Sequence, residues 1–467
     1  MSEYDPRRQF RATIIRGKAK TEMDNLLPAY AGIISDICPV DLDEFDRMFD
    51  ARLHAVLPEA SPKTLANHRT EIAGKLFGMY YTGSDHSVHT SERMTTFLEN
   101  HDQPFFFKDI CFKFQFPNGM DSVQTVREKV DNKLSLRQFP YILRLMELAA
   151  EVKERLTKDE VAYYVLNSLD VLQGTVSPET VLAAIFSNRQ KRDFRRVRTP
   201  GKAPSYDMQH INEQLNLLEL ADLVRIQGGE LILNDRESTA IAYFAEEWDK
   251  PPLFDVAAHD LSDAEGSRQF FLEWDSYYSQ LSPEARRQFP TDIKALEFKP
   301  SGTPVLHGVV VHGGPATIEL GDEGESYVYE KERERVAAFD PRLAKKVRQV
   351  GRTKGLGYDI QSVVAEAGDA AEFARYIEVK STKRVTAPDR RDVSWTDNVG
   401  LTRQEWVAAQ QFPGCYFIYR VYFTTDGPRT FIIGDPCAKV QEKKMAITPR
   451  DYTLDFGPNA VDGVMEK

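Results

Sequence analysis

Two carboxylates and one amine in the C-terminal third of the chain stand at a spacing that a pair of β-strands could gather. Asp359 lies in Gly357-Tyr358-Asp359-Ile360, and Glu378 and Lys380 lie in Tyr376-Ile377-Glu378-Val379-Lys380. Side chains alternate between the two faces of a strand. Ile377 and Val379 therefore suit a core, while Glu378 and Lys380 share the opposite face. Asp359 likewise opposes Tyr358 and Ile360. If the two strands pair, the three polar groups converge. Such a set can hydrolyse a phosphodiester. Carboxylate oxygens are hard ligands for Mg²⁺, which keeps several waters and also binds phosphate oxygen. The ion lowers the pKa of a bound water and stabilises phosphoryl charge. A nearby ammonium can orient or deprotonate the water, or stabilise the transition state. These residues leave open which of those roles Lys380 has. Asp plus Glu-x-Lys also occurs on ordinary charged hairpins; the glycines before Asp359 and the β-favouring run around Glu378 set this instance apart.

Five separated pieces then occur in order. They are Gly324-Glu325-Ser326-Tyr327-Val328-Tyr329-Glu330, Gly357-Tyr358-Asp359-Ile360-Gln361-Ser362, Tyr376-Ile377-Glu378-Val379-Lys380, Leu401-Thr402-Arg403-Gln404-Glu405-Trp406 and Tyr416-Phe417-Ile418-Tyr419-Arg420-Val421. On these pieces, residues from about 322 to 436 resemble the Protein NO VEIN C-terminal domain family, within the PD-(D/E)XK nuclease superfamily. The resemblance implies a restriction-endonuclease-like α/β domain with Asp359, Glu378 and Lys380 catalytic. It also implies a role for Glu330, which matches the acidic helix position that often completes the metal site. The expected metal ligands are thus Asp359, Glu378 and Glu330, holding Mg²⁺, with Mn²⁺ able to substitute because it too accepts oxygen ligands. Thr402-Arg403-Gln404-Glu405 is also a capping box, in which Thr caps and Glu reaches back to the cap amide. That structural role is the favoured reading of Glu405, and a polar strand position is the favoured reading of Gln361.

A second signal lies upstream. Between Ser187 and Ala203 stand Arg189, Lys191, Arg192, Arg195, Arg196, Arg198 and Lys202, against Asp193 alone. Such a cluster can neutralise phosphates and release counterions. A helical pattern over Tyr206–Leu220 follows, then two short alternating runs around Gly228-Gly229, a hairpin signal because the turn needs positive φ. Helices followed by a hairpin resemble a winged helix-turn-helix. Gln209, His210, Asn212 and Gln214 are the candidate base readers on that helix, with Gln209 and Asn212 foremost. His86 and His89 near Asp85 are read as a polar loop rather than a metal site. No Walker-type glycine loop is found, which argues against energy-driven translocation.

The elements that must position these groups divide the chain as follows. Residues 1–137 are a mixed, DNA-recognising part that opens a helix at Ser61-Pro62, with Leu65, Ile72 and Leu76 near one face. Residues 138–250 are winged-helix-like, 251–300 a connector, and 301–467 the nuclease domain. The expected fold class is multidomain: a helical, winged-helix N-terminal part plus an α/β restriction-endonuclease-like C-terminal domain. No internal repeat is evident. A net charge of −11 excludes a polybasic coat on nucleic acid but permits a local basic groove. The four cysteines are scattered without metal-ligand spacing, so neither a disulfide framework nor a zinc site is expected. The polar N-terminus and the lack of a long apolar run point to a soluble, intracellular protein, and the resemblance to restriction endonucleases implies a prokaryotic cytoplasm. The whole reads as a metal-dependent DNA endonuclease of restriction type acting on foreign double-stranded DNA. A homodimer, formed in solution or on DNA, and a cognate methyltransferase are expected partners, and no membrane is. The competing readings are a modification-dependent or other defence nuclease, and a non-catalytic DNA-binding regulator with a nuclease-like fold.

Overall fold

The computed structural model describes residues 5, 7–15, 17, 20–197, 204–290, 316–351, 356–392, 395–448 and 453–465. Regular structure starts with α1 (Lys20–Ile37), β1 (Val40–Asp41) and α2 (Leu42–Val56), the last capped by Asp41 accepting from the Asp43 amide. Ser61 then caps α3 (Pro62–Asn67) through the Thr64 amide at 3.2 Å, and the helix continues in π form over His68–Leu76. Leu65, Ile72 and Leu76 are buried, as the spacing predicts. β2 (Tyr80–Thr82) and β3 (Ser87–Thr90) close this unit as an antiparallel sheet in the order β1-β3-β2.

The next helices are α4 (Glu92–Asn100), α5 (Gln103–Lys113) and α6 (Val123–Asp131). α5 is buried along its whole length, a phenylalanine-rich axle rather than an amphipathic surface helix. Then come α7 (Gln138–Glu151), β4 (Leu156–Thr157), α8 (Lys158–Val161), α9 (Leu169–Leu172), α10 (Pro178–Gln190), α11 (Pro204–Leu220), β5 (Val224–Gln227) and β6 (Glu230–Leu233). Gly228 and Gly229 join the last two strands at φ +60° and +87°, the conformation their hairpin signal required. This second sheet has the order β4-β6-β5, the same first-third-second arrangement as the first. The repeat is topological and leaves no trace in the sequence. α12 (Ser238–Glu246), α13 (Ala264–Ser279) and α14 (Ala285–Gln288) pack against the same core. That core draws on residues from Ala12 to Phe289, with a smaller cluster of Val126, Val256, Leu261 and Phe270 beside it. Residues on both sides of the positions expected as boundaries, 137/138 and 250/251, contribute to it. The fully buried α5 is the physical reason, because α11, α7 and α14 all pack on it.

The C-terminal part opens with α15 (Ala316–Phe339), followed by β7 (Arg348–Gln349), β8 (Ile360–Val363), β9 (Ala374–Lys383), β10 (Asp397–Gly400) and α16 (Arg403–Gln411). It continues with β11 (Tyr416–Phe423), β12 (Arg429–Gly434), α17 (Pro436–Gln441), β13 (Met445–Thr448), β14 (Thr453–Phe456) and β15 (Gly463–Met465). A six-stranded mixed sheet runs β15-β12-β11-β9-β8-β7, with β9 and β11 parallel and the other neighbours antiparallel. One face packs Ile360, Ile377, Val379 and Val421 against Val328 and Val336 of α15. The other packs Tyr416, Ile418 and Tyr422 with Trp406, Ala408 and Ala409 of α16. Ile377 and Val379 thus enter a core on one side, as alternation predicts.

The two parts meet at the end of β9. His101, left-handed at φ +50° after α4, offers its carbonyl to Thr382 Oγ1 at 2.9 Å and to the Lys383 amide at 3.1 Å. Among the described residues, no helix is long and apolar enough to cross a membrane.

Candidate active site

The antiparallel pairing of β8 with β9 matches Ile360 to Ile377. One step along, Asp359 stands beside Glu378. Its amide donates to the Ile377 carbonyl at 2.9 Å, and its Oδ2 accepts from the Val379 amide at 2.8 Å. Asp359 is therefore aimed by the backbone of the strand that carries the other two groups. Lys380 Nζ lies 2.7 Å from Glu378 Oε1 and 3.0 Å from Glu405 Oε2 on α16. A fourth carboxylate closes the opposite side. A Cβ placed on Gly351 would stand 2.8 Å from Glu325 Oε2 and 3.0 Å from Asp359 Oδ1. The absence of a side chain at Gly351 lets these two carboxylates converge.

The electrostatics follow from crowding. Burial, and next the charge of Glu325, push Asp359 up to about 7. Burial pushes Glu378 well above the carboxylate range; Lys380 offsets this in part, while Asp359 and Glu405 add to it. Burial works against the Lys380 ammonium, but Glu378 and Glu405 outweigh it and hold its pKa above the ordinary value. Several acids around one amine form a site short of positive charge, and its donors are oxygens only. This fits a hard divalent cation such as Mg²⁺, which typically takes one or two carboxylates together with waters and substrate phosphate. Among the described residues, no three or more His, Cys, Asp or Glu side chains are grouped to enclose an ion by themselves. A pair of carboxylates suits an ion that completes its shell with waters and a substrate phosphate.

Asp359, Glu378 and Lys380 are thus brought together, and Glu330 is not. Glu330 is 61% exposed and faces Arg333 at 3.5 Å on its own helix. It lies five positions beyond Glu325, which turns it well round the helix at 3.6 residues per turn. Glu325 is the helical acid that reaches Asp359. It belongs to the same Gly324-Glu325-Ser326 piece, so register was the missing information. Glu405 does form the capping box: its Oε2 accepts from the Thr402 amide at 2.9 Å, and its amide donates to Thr402 Oγ1 at 3.3 Å. The same oxygen also meets Lys380. Gln361 pairs in the sheet, opposite Arg348 and Tyr376.

The basic run is less free than its composition suggests. Arg189 pairs with Glu160 at 2.7 Å and Glu154 at 2.9 Å, and it donates to the Arg155 carbonyl at 2.6 Å. Arg195 pairs with Asp193, and Arg196 with Asp159 at 2.8 Å. Lys191 and Arg192 are exposed; Arg198 and Lys202 lie outside the described residues. Arg189, Arg195 and Arg196 border a cavity of about 760 Å³ between the end of α10 and the Gly228-Gly229 turn. Of the residues expected to read bases, Gln209 is exposed and Asn212 is half-buried, accepting from Lys158 Nζ at 3.1 Å. His210 and Gln214 are buried, because α11 packs on α5 and its inner face belongs to the core. His86 lies in the β2–β3 turn, whereas His89, expected in a polar loop, lies within β3 opposite Tyr81.

Residues 324–433 match the family described as Protein NO VEIN, C-terminal. Residues 4–274, more than half of the chain, match the family described as Restriction endonuclease BpuJI - N terminal. The chain belongs to the BpuJI N-terminal family. A solved structure, that of the BpuJ1 endonuclease binding domain in complex with pyrene- and phenanthrene-modified DNA, is 52% identical to this chain. The similarity covers 59% of this chain and 100% of that one, with a TM-score of 0.57. No curated protein matches. The BpuJI-type region contains the β1-β3-β2 and β4-β6-β5 sheets, and the candidate active site falls in the region similar to the NO VEIN C-terminal family.

Proposed function

We propose that this protein is a Mg²⁺-dependent restriction-type endonuclease in which the BpuJI-type region holds duplex DNA and the C-terminal sheet cuts it. The observation that carries the reading is the convergence of Asp359, Glu378 and Lys380 on one polar face, in a chain whose larger part belongs to a restriction-endonuclease family. DNA binding is supported by the relative's DNA complex. Each helix–strand–helix–hairpin unit is proposed to act as a winged helix, with α3, its π continuation and the Gly228-Gly229 hairpin meeting the duplex. Lys191, Arg192, Arg195, Arg196, Arg198, Lys202 and Gln209 are proposed to add phosphate and base contacts, whereas Arg189 is mainly structural.

Asp359 and Glu378 would hold the ion, with Glu325 alongside in the place proposed at first for Glu330. Bound Mg²⁺ would stabilise phosphoryl charge and acidify a water. Lys380, whose pKa is raised by two carboxylates, stays an ammonium at neutral pH. It is placed to donate to a phosphoryl oxygen or to the attacking water. Since one such site is found among the described residues and a duplex has two strands, a homodimer on DNA is the simplest cutting unit. Plasmid linearisation should then rise faster than linearly with enzyme at low concentration. Restriction of foreign DNA beside a cognate methyltransferase in a prokaryotic cytoplasm is the proposed setting.

The test is incubation of the pure protein with Mg²⁺ and duplex DNA, methylated and unmethylated in parallel. Cutting of unmethylated DNA alone is expected. Cutting of methylated DNA alone would make it modification-dependent. Binding with no cutting in Mg²⁺ or Mn²⁺ would leave a DNA-binding regulator.

A further inference from the structure

We propose that Glu405 is a positioning residue for Lys380: it keeps the ammonium in place when a divalent cation takes the carboxylate of Glu378. The inference rests on the metal-dependent reading above and adds a role for a residue otherwise explained by helix capping. Three observations support it.

Lys380 is shared. Its Nζ sits 2.7 Å from Glu378 and 3.0 Å from Glu405, and these partners come from different elements, β9 and α16. A cation drawn to Glu378 competes with that ammonium for the same carboxylate. With no second acceptor, Lys380 would either block the ion or be expelled. Glu405 supplies the second acceptor.

The cap alone does not need a charge. Glu405 Oε2 accepts from the Thr402 amide at 2.9 Å, a task the amide oxygen of Gln also performs in a capping box. What Gln lacks is the anionic partner for an ammonium, and charge-assisted bonds are roughly twice as strong as neutral ones.

The frame is fixed where it must be. Gly357, at φ +71°, lies so close to α16 that a Cβ there would stand 2.6 Å from the Gln404 carbonyl oxygen and 2.8 Å from the Ala408 Cβ. The Tyr416 hydroxyl donates to the Gly357 carbonyl at 2.9 Å. The approach to Asp359 is thus seated on the first turns of α16, so Glu405 and Asp359 hold a constant relation while Lys380 exchanges partners.

The experiment is a double-mutant cycle read by Mn²⁺ binding to the full-length, metal-free protein, using the electron paramagnetic resonance of free Mn²⁺. The variants are Glu405→Gln, Lys380→Met and the pair together, with Thr402→Ala as the control for the cap. Lys380→Met should tighten Mn²⁺ binding by removing the competitor. Glu405→Gln should weaken it on the order of tenfold, because the ammonium then falls wholly on Glu378. The double variant should bind like Lys380→Met alone. Thr402→Ala should lower the melting temperature and leave Mn²⁺ affinity unchanged. If Glu405→Gln weakens binding equally with and without Lys380, or has no effect, or is matched by Thr402→Ala, the inference is overturned while the metal site stands. If neither the parent nor Lys380→Met binds Mn²⁺, the metal-dependent reading falls and takes this inference with it.

Discussion

Asp102 and Lys383 meet across the junction of the two parts of the chain, 3.6 Å apart and both almost wholly buried. Lys383 ends the strand that carries Glu378 and Lys380. The junction therefore ties the DNA-recognising region proposed above to the backbone of the candidate site. Asp102 also caps α5 by accepting from the Phe105 amide at 3.0 Å, and Asn would keep that bond. Asp102→Asn should thus report the lost charge rather than a lost cap. We expect a loss of roughly 1–3 kcal/mol, since weakening a buried charged pair costs more than weakening an exposed one. Urea unfolding measures the loss. Hydrogen exchange should show faster exchange at the end of β9, and unaltered protection there would separate the junction from the site.

Substitutions at the site should sort by what each side chain touches. Asp359→Asn, Glu378→Gln and Lys380→Ala should each slow single-turnover cleavage at least ~100-fold, with folding and DNA binding nearly intact. Glu325→Gln should slow it less, on the order of tenfold, through a weaker hold on the ion. Glu330→Gln should cut at close to the parental rate, because its side chain faces solvent and Arg333. Loss of cutting in Glu330→Gln but not in Glu325→Gln would restore the original assignment.

Without metal, the protein should lose stability as pH rises through neutrality. Asp359 titrates near 7 when folded and at the ordinary value of 3.8 when unfolded. The folded state therefore favours the protonated form. Its contribution is complete below the unfolded value and disappears as pH climbs through about 7. Asp359→Asn removes that titration, so the parent should fall relative to this variant between about pH 4 and pH 7 and run parallel to it above that. Mg²⁺ should recover more of the parent's melting temperature at the upper end. Parallel melting curves for parent and variant between about pH 4 and pH 7 would contradict the assignment.

The arginines near α10 should divide into a structural one and exchangeable ones. Arg189 joins Glu154, Glu160 and the Arg155 carbonyl, so Arg189→Ala should cost about 1–3 kcal/mol in urea unfolding. Arg196 is 60% exposed, and its partner Asp159 is partly exposed. Arg196→Ala should leave stability nearly unchanged. If Arg196 exchanges Asp159 for a phosphate on DNA, its loss should flatten log affinity against log salt by about 0.9. Fluorescence anisotropy at several salt concentrations reads that slope.

Local rules were legible in the sequence. Alternation placed Glu378 and Lys380 on one face and Ile377 and Val379 on the other. Ser61-Pro62, Gly228-Gly229 and Thr402-x-x-Glu405 announced a helix start, a hairpin and a capping box, and all three are present. Each depends on hydrogen bonds and dihedrals among residues a few positions apart, which composition at those positions largely decides. Tertiary structure decided the rest. Glu325 rather than Glu330 reaches Asp359 because the rotation of α15 is set by Val328 and Val336 packing on the sheet. His210 and Gln214 are buried because α11 serves the core. Arg189 is tied to Glu154 and Glu160 by the approach of three separate elements. Lys380 meets Glu405 because α16 lies across the face of β9 and β11, a contact between residues 25 positions apart that no local pattern encodes. Which charges become partners is a matter of which surfaces the core brings together, and that is a property of the whole packed chain.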